Sequence, residues 1–231
     1  MNRHLMNRHG INSHLKKVHS VLVFFIVLVV SGGVSADGDT AIKELNLLLK
    51  TMSSMQASFT QVTTDEEGEV LQEDLGQLKA KRPGLFKSHI TEPFEQLTVI
   101  NQDNIWQYDP ELETVSIKKV DSQSLELPTL LVSGDEKKIA DTFRVSRRAE
   151  NSVQSKKEDV SIFHLVPLNE NRVYEWMELS FKNKQVSEIK MFSSLGETTT
   201  IRFSDLQLNP IIEDSEFFFT PPEGTDVLVD N

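Results

Sequence analysis

The residues of this chain that could carry out catalysis are few and lie far apart in the sequence. It has no cysteine, and after the first 36 residues it has only two histidines, His89 and His164, in separate predicted strands. Neither histidine has a partner carboxylate at metal-ligand spacing, and acidic pairs such as Asp65 and Glu67 lie in charge-rich turn sequences. The motifs HExxH and GxSxG, the phosphate-binding loop and the dinucleotide fingerprint are absent. We therefore predict a protein that is not an enzyme and has no metal or cofactor.

One arginine stands beside a strand irregularity. The segment KRPGLF spans residues 81–86. Pro83 removes a ladder donor and Gly84 weakens a strand interior, so the pair marks a bend or a strand junction. Arg82 carries five donors and does not lose its charge, so it requires acceptors. It is either bound to a specific acceptor or a surface arginine beside a bend.

The first 36 residues have the features of an export signal. Two lysines precede the ten-residue apolar run VLVFFIVLVV (residues 21–30), and SGGVSA follows it with small residues ending at Ala36. Ten residues are too few to span a bilayer, which needs about 20, although an uncleaved anchor is the alternative. We expect residues 1–36 to be a signal peptide and residues 37–231 to form the mature domain, whether translation begins at Met1 or at Met6.

The charge of the mature chain limits its partners. Removing the signal leaves 195 of 231 residues, enough for one domain with a sizeable core. The removed segment contains four basic residues and no acidic one, so the net charge changes from −11 to −15. Such a surface argues against binding to nucleic acid and against unaided binding to anionic lipid.

One amphipathic helix is predicted at the start of the mature chain, within DTAIKELNLLLKTMSSM. Asp39 or Thr40 is expected to cap it. Its apolar stripe consists of Ile42, Leu45, Leu49 and Met52.

After this helix the sequence alternates with a period of two, in segments separated by short turns. This pattern is typical of an antiparallel meander, and we count about ten or eleven strands. A short helix ended by a glycine is predicted within LELPTLLVSGDEKKIADTF (residues 125–143). The prediction is a mainly β (α+β) fold with one curved sheet covered by helices. Its apolar inner face must close over a core, a ligand or helices, and an inner face filled by core side chains is the simpler alternative.

Five short segments follow one another along the mature chain. They are MQASFTQ after the N-terminal helix, then KRPGLF, IWQYDP, LPTLLVSGD and FFFTPPEGTDV. In this order, from about Ile42 to Val227, they resemble the LolA family of periplasmic lipoprotein carriers. The resemblance implies an unclosed antiparallel β half-barrel of about 11 strands with a helical lid. It further implies a monomer in the periplasm that takes lipoprotein acyl chains from an inner-membrane ABC transporter to an outer-membrane receptor.

The resemblance also implies roles for individual residues. Arg82 matches an arginine that reaches from the barrel to backbone carbonyls of the lid, and we expect its acceptors within residues 47–50 and in TLLVS (residues 129–133). Lys79 and Ser88 stand where family members often have aromatic residues, so the cavity is expected to be less aromatic. For each aromatic candidate, ordinary core packing is the alternative. The expected cavity lining is Phe59, Phe86, Trp106, Tyr108, Leu130, Leu131 and Val132.

Two other functions are compatible with the same fold. A periplasmic module that senses lipids or lipoproteins for a regulatory partner is the main alternative, although such sensors usually carry a second domain. An outer-membrane receptor would need a lipidated cysteine, which the sequence lacks.

We predict that the signal is cleaved after Ala36, because Val34 and Ala36 supply the small residues at positions −3 and −1 of the site. The intact mass of the protein from the periplasm should then correspond to a chain that begins at Asp37. A mass that includes residues 21–30 would instead indicate a membrane-anchored protein.

Overall fold

The computed structural model describes residues 36–120, 136–148, 159–169 and 173–230. These residues form two α-helices, a short 3₁₀ helix and twelve strands. No helix within these ranges is long and apolar enough to cross a membrane. The helices are α1 (Ala36–Lys50), α2 (Glu136–Thr142) and the 3₁₀ helix (Asp214–Phe217). The strands are β1 (Ser54–Thr64), β2 (Val70–Lys81), β3 (Leu85–Glu92), β4 (Gln96–Ile100), β5 (Asn104–Asp109), β6 (Thr114–Lys119), β7 (Phe143–Arg148), β8 (Val160–Pro167), β9 (Tyr174–Lys182), β10 (Gln185–Ser193), β11 (Thr198–Leu208) and β12 (Asp226–Asp230).

All twelve strands belong to one open sheet. Their order is β12-β6-β5-β4-β3-β2-β1-β11-β10-β9-β8-β7. Most neighbouring strands are joined by hairpins and run antiparallel. At the centre of the sheet, the antiparallel neighbours β1 and β11 lie far apart in the sequence. The predicted mainly β architecture is therefore confirmed. The strand that exceeds the predicted count is β12, which pairs with β6 in parallel.

One face of the sheet, here called the inner face, packs against α1. Side chains alternate between the two faces of a strand, and the inner-face residues Ala57 and Leu78 join Leu45 and Leu49 of α1 in one buried cluster. Burial of Leu45, Leu49 and Met52 agrees with the predicted apolar stripe. The helix begins at Ala36, before both predicted caps.

The second predicted helix lies only partly in the described ranges. Residues 121–135 are outside them, so its apolar part cannot be compared with the prediction. The described helix α2 follows Gly134 in the sequence instead of ending there. Its Ile139 is fully buried and belongs to the inner-face cluster.

The opposite, outer face is covered by a C-terminal segment, residues 209–219, which we call the strap. Lys81 donates to the carbonyl of Ile212 at 2.6 Å, and Lys79 Nζ lies 2.9 Å from Glu216 Oε2. The hydrogen bond and charge of Lys79, with the charge of Lys87, lower the pKa of Glu216. The strap therefore binds strands β2 and β3 from outside.

The outer face has buried residues of its own. Val99 of β4 and Val115 of β6 point outward and are almost fully buried. Ile212 and Phe217 of the strap are buried too, and none of these four belongs to the inner-face cluster. The sheet is thus packed separately on its two sides.

Asn209 joins the strap to the connection between α1 and β1. Its backbone N–H donates to the carbonyl of Ser54 at 2.8 Å. Its side-chain oxygen accepts from the backbone N–H and the hydroxyl of Ser53, both at 2.8 Å, and its amide donates to the carbonyl of Thr51 at 3.0 Å. The residue has a φ of 57°, a left-handed conformation that asparagine tolerates well.

We predict that Asn209→Ala lowers the free energy of unfolding by about 2–3 kcal/mol, because three hydrogen bonds each contribute about 1 kcal/mol net. Urea denaturation followed by circular dichroism measures the change. Asn183→Ala is the matched control, since Asn183 has a φ of 51° and its side chain has no hydrogen bond among the described residues. Equal losses for the two variants would mean that only backbone conformation matters at Asn209.

Candidate functional site

The inner face bounds a cavity of about 380 Å³. This volume falls in the range of small-molecule sites, about 300–1,000 Å³. Its described lining residues come from both halves of the sheet, so the cavity is formed by the curvature of the sheet. The apolar lining residues are Met55, Phe59, Leu78, Ala80, Phe86, Ile90, Ile189, Ile201 and Phe203, and the lining residues with polar groups are Gln61, Ser88, Gln96, Thr98, Gln107 and Tyr174.

Strand register explains why these residues meet. Ser88 of β3 pairs with Thr98 of β4, which in turn pairs with Gln107 of β5. Directly paired residues point to the same face of a sheet, so the three form one row across the cavity wall. On the other side, Phe59 of β1 pairs with Phe203 of β11 in the same way.

Gly76 leaves space for one aromatic ring of the wall. It pairs with Phe59 across β1 and β2. A Cβ atom at position 76 would lie 2.6 Å from the Phe59 ring and 2.6 Å from the carbonyl oxygen of His89. The absence of a side chain at position 76 therefore lets the Phe59 ring lie against the sheet.

A smaller apolar pocket of about 30 Å³ adjoins the cavity below the end of α1. Leu49 and Met52 line it from the helix side. It shares Met55, Ala80, Ile189 and Phe203 with the larger cavity. The apolar part of the site therefore continues beneath the C-terminal end of α1.

Arg82 binds this end of α1. Its Nη2 donates to the carbonyl oxygen of Leu49 at 2.5 Å, and its backbone N–H donates to the carbonyl of Ser53 at 2.9 Å. The last carbonyls of a helix have no partner within the helix, so the arginine supplies one. Burial lowers the pKa of Arg82, and its Nε is buried without a partner among the described residues. Leu49 lies within the expected range 47–50, whereas residues 129–133 are outside the described ranges.

One turn before Leu49, α1 buries an amide. Asn46 is only 2% exposed, and neither its oxygen nor its nitrogen has a hydrogen-bond partner among the described residues. An unsatisfied buried polar group costs about 1–3 kcal/mol. The packing of α1 against the sheet thus combines a favourable contact at Leu49 with an unfavourable one at Asn46.

The predicted lining residues fall into three groups. Phe59 and Phe86 line the cavity. Trp106 and Tyr108 do not, and this prediction is corrected: Gln107 between them faces the cavity, so their side chains point to the outer face. There the Tyr108 ring lies 5.4 Å from the ring of Phe219, beside the strap. Leu130, Leu131 and Val132 lie outside the described residues.

The two departures from the family pattern lie on opposite faces. Lys79 is on the outer face, where it binds Glu216, and so does not alter the cavity. Ser88 is in the cavity wall. Only Ser88 therefore makes the wall less aromatic.

The described lining is mostly apolar, with a few neutral polar groups. Tyr174 is the only ionisable residue among the described lining residues. His89 pairs with Glu95 and His164 lies near Glu178, in different parts of the sheet. In the described part of the chain, no three His, Asp or Glu side chains are placed to hold a metal ion.

An open sheet with a cavity on its inner face and a helix across one end defines a β-sheet binding protein. The family model described as "Outer membrane lipoprotein carrier protein LolA" matches residues 50–220. The chain belongs to the LolA family.

Related proteins align over most of the chain. An outer-membrane lipoprotein carrier protein of Pseudomonas paraeruginosa is 36% identical over 193 residues, which cover 84% of this chain and 89% of the relative. The protein of the same name from Azotobacter vinelandii is 32% identical over 212 residues, 92% of this chain and 99% of the relative. The crystal structure of an uncharacterized conserved protein from Thermus thermophilus has a TM-score of 0.51 and 14% identity, and covers 83% of this chain and 99% of that one. It shows likeness of fold alone.

We predict that Gly76→Ala displaces the Phe59 ring into the cavity. The uncharged fluorescent probe N-phenyl-1-naphthylamine should bind roughly tenfold more weakly, and overpacking should lower the free energy of unfolding by about 1–3 kcal/mol. Probe titration and urea denaturation measure the two effects. Gly38→Ala is the matched control, because its Cβ would lie at an ordinary 3.7 Å from the nearest atom. Unchanged probe affinity in a folded Gly76→Ala protein would contradict this account of the wall.

Proposed function

We propose that this protein is a periplasmic carrier that binds the acyl chains of lipoproteins in its inner-face cavity. The observation that carries the proposal is the cavity of about 380 Å³, with an apolar part that continues beneath α1. Membership of the LolA family and the name of the aligned relatives, outer-membrane lipoprotein carrier protein, support the same function.

The energetics of acyl chains require direct transfer between proteins. Each buried methylene contributes about 0.8 kcal/mol, so a sixteen-carbon chain contributes roughly 12 kcal/mol. Release of such a chain into water would be too slow for a transport cycle. The carrier therefore receives its cargo from an inner-membrane ABC transporter and passes it directly to an outer-membrane receptor.

The contacts of α1 set the affinity of the carrier. The hydrogen bond from Arg82 to Leu49 favours the empty state in which the helix end is held to the sheet. Cargo must compete with this state, so its apparent affinity is lowered by the fraction of protein that is open. The unpaired amide of Asn46 offsets part of the closing energy. Arg82 thus acts as a latch that keeps binding reversible.

A two-step assay tests the carrier function. Inner-membrane vesicles containing the transporter and a labelled lipoprotein are incubated with ATP and the purified protein, and soluble lipoprotein is measured. The soluble complex is then mixed with the outer-membrane receptor, and transfer is measured. A carrier passes both steps; a sensor would bind lipid without delivering it, and failure to solubilise lipoprotein would refute the proposal.

We predict that Arg82→Leu accepts lipoprotein as well as the wild type but fails to transfer it. The variant loses a charged hydrogen bond, which typically contributes about 1.5–3 kcal/mol, so the open state gains population and holds its cargo. Arg82→Lys should be partly active, because an ammonium group keeps the charge and can donate to the Leu49 carbonyl but lacks the rigid donor geometry of the planar guanidinium. The same two-step assay measures both variants.

Arg147→Leu is the control for this prediction. Arg147 also joins the sheet to α1, through Glu44, but both side chains are substantially exposed. Exposed pairs contribute about 0–1 kcal/mol, so this variant should transfer cargo normally. If Arg82→Leu also passes both steps at the wild-type rate, Arg82 is not a latch.

A further inference from the structure

The cavity wall has a polar side as well as an apolar one. Ser88, Thr98 and Gln107 form a row across β3, β4 and β5, and Gln96 lies two residues before Thr98 on the same face. We call these four residues the polar row. None of their side chains has a hydrogen-bond partner among the described residues, and together they offer hydroxyl and amide donors and acceptors. The polar row is therefore free to hydrogen-bond a ligand.

The described part of the wall carries no charge that could pair with an anion. The described lining residues include no lysine, arginine, aspartate or glutamate. Arg82 is not among them, and its guanidinium is bonded to the carbonyl of Leu49. Burying an ionised group without a partner costs far more than burying a neutral group that is hydrogen-bonded. The wall thus suits neutral polar groups.

A buried carboxylate lies next to this wall. Asp74 is 2% exposed and pairs with Gln61 on the inner face. The amides of Gln61 and Gln72 each donate to it at 2.8 Å. Gln61 lines the cavity, so the carboxylate of Asp74 borders the lining at this one residue. Coulomb repulsion from a carboxylate in a low-dielectric environment disfavours a second anion nearby.

We infer that the cavity is selective for acyl chains attached through neutral ester or amide groups and rejects lipids with an anionic head group. This inference rests on the proposed carrier function and specifies the chemistry of its cargo. The polar row hydrogen-bonds the ester or amide at the head of the chain, while the chain itself extends over Phe59 and Phe203 toward α1. A phosphate in the same position would find no cation among the described lining residues. A carrier that contacts membranes thereby avoids filling with phospholipid.

Competition between two lipids of equal chain length tests the selectivity. Protein purified from the periplasm is loaded with the uncharged fluorescent probe N-phenyl-1-naphthylamine, and the probe is displaced with 1-palmitoylglycerol or with 1-palmitoyl-lysophosphatidylglycerol, each kept monomeric. We expect the neutral lipid to bind at least about tenfold more tightly, given the cost of an unpaired buried charge. Equal affinities, or tighter binding of the anionic lipid, would overturn the inference.

Substitutions in the polar row test whether these residues cause the preference for neutral lipid. Ser88→Lys places a cation in the polar row and should raise the affinity for the anionic lipid by about tenfold, because an opposite charge stabilises a buried anion. The double substitution Thr98→Val with Gln107→Leu should weaken the neutral lipid several-fold. Gln77→Leu is the matched control, since Gln77 lies on the outer face of β2 and should leave both affinities unchanged. Ser88→Lys that folds but leaves the preference unaltered would also overturn the inference.

The same experiment separates this inference from the proposed function. If the probe and both lipids fail to bind the wild-type protein, the carrier proposal fails, and the inference with it. If both lipids bind with equal affinity, the carrier proposal stands and only the selectivity is refuted.

Discussion

An open sheet with an apolar inner face must cover that face from within its own chain, and this constraint determines most of the structure. A closed barrel would bury the face by joining its edges, but here the sheet ends at β7 on one side and β12 on the other. The helix α1 covers part of the face, and a cavity occupies another part. At the C-terminal end of α1, Arg82 and Asn209 bind the last turn and the following connection. Apolar packing of Leu45 and Leu49 and the pair between Glu44 and Arg147 hold the rest of the helix against the sheet.

Much of this arrangement could be predicted from the sequence because it depends on local periodicity. The apolar stripe of α1 and the alternation of the strands indicated a helix-covered sheet, and the partner of Arg82 fell within the four residues that the family resemblance implied. The sequence did not indicate which residues of β5 face the cavity and which face outward. In NIWQYD, a glutamine between two aromatic residues indicates a solvent-facing position, yet Gln107 faces the cavity. This interpretation fails because the cavity wall is polar there, while the strap covers the outer face and its Phe219 contacts Tyr108.

The other differences also arise from contacts between residues that are distant in the sequence. The strand β12 forms a parallel pair with β6, more than a hundred residues earlier in the sequence. Turn residues predict pairs of strands joined by a hairpin, so they could not predict this one. The polar row was missed because each member is an ordinary strand residue, and only the registers of three strands bring Ser88, Thr98 and Gln107 together. Lys79 was expected to affect the cavity, although its position one residue from Ala80 places it on the outer face. A single sequence gives periodicity, but the assignment of faces depends on what covers each side.

The strap supports the sheet beside an unfilled cavity. An unfilled cavity weakens a protein, because the residues around it lose contacts that a packed core would supply. In this protein, residues 209–219 pack against the face of the sheet opposite the cavity, with Ile212 and Phe217 buried there. The strap therefore stabilises the cavity wall from the outer face of the sheet. These contacts support the curvature of the sheet from the outer face, with side chains that do not line the cavity.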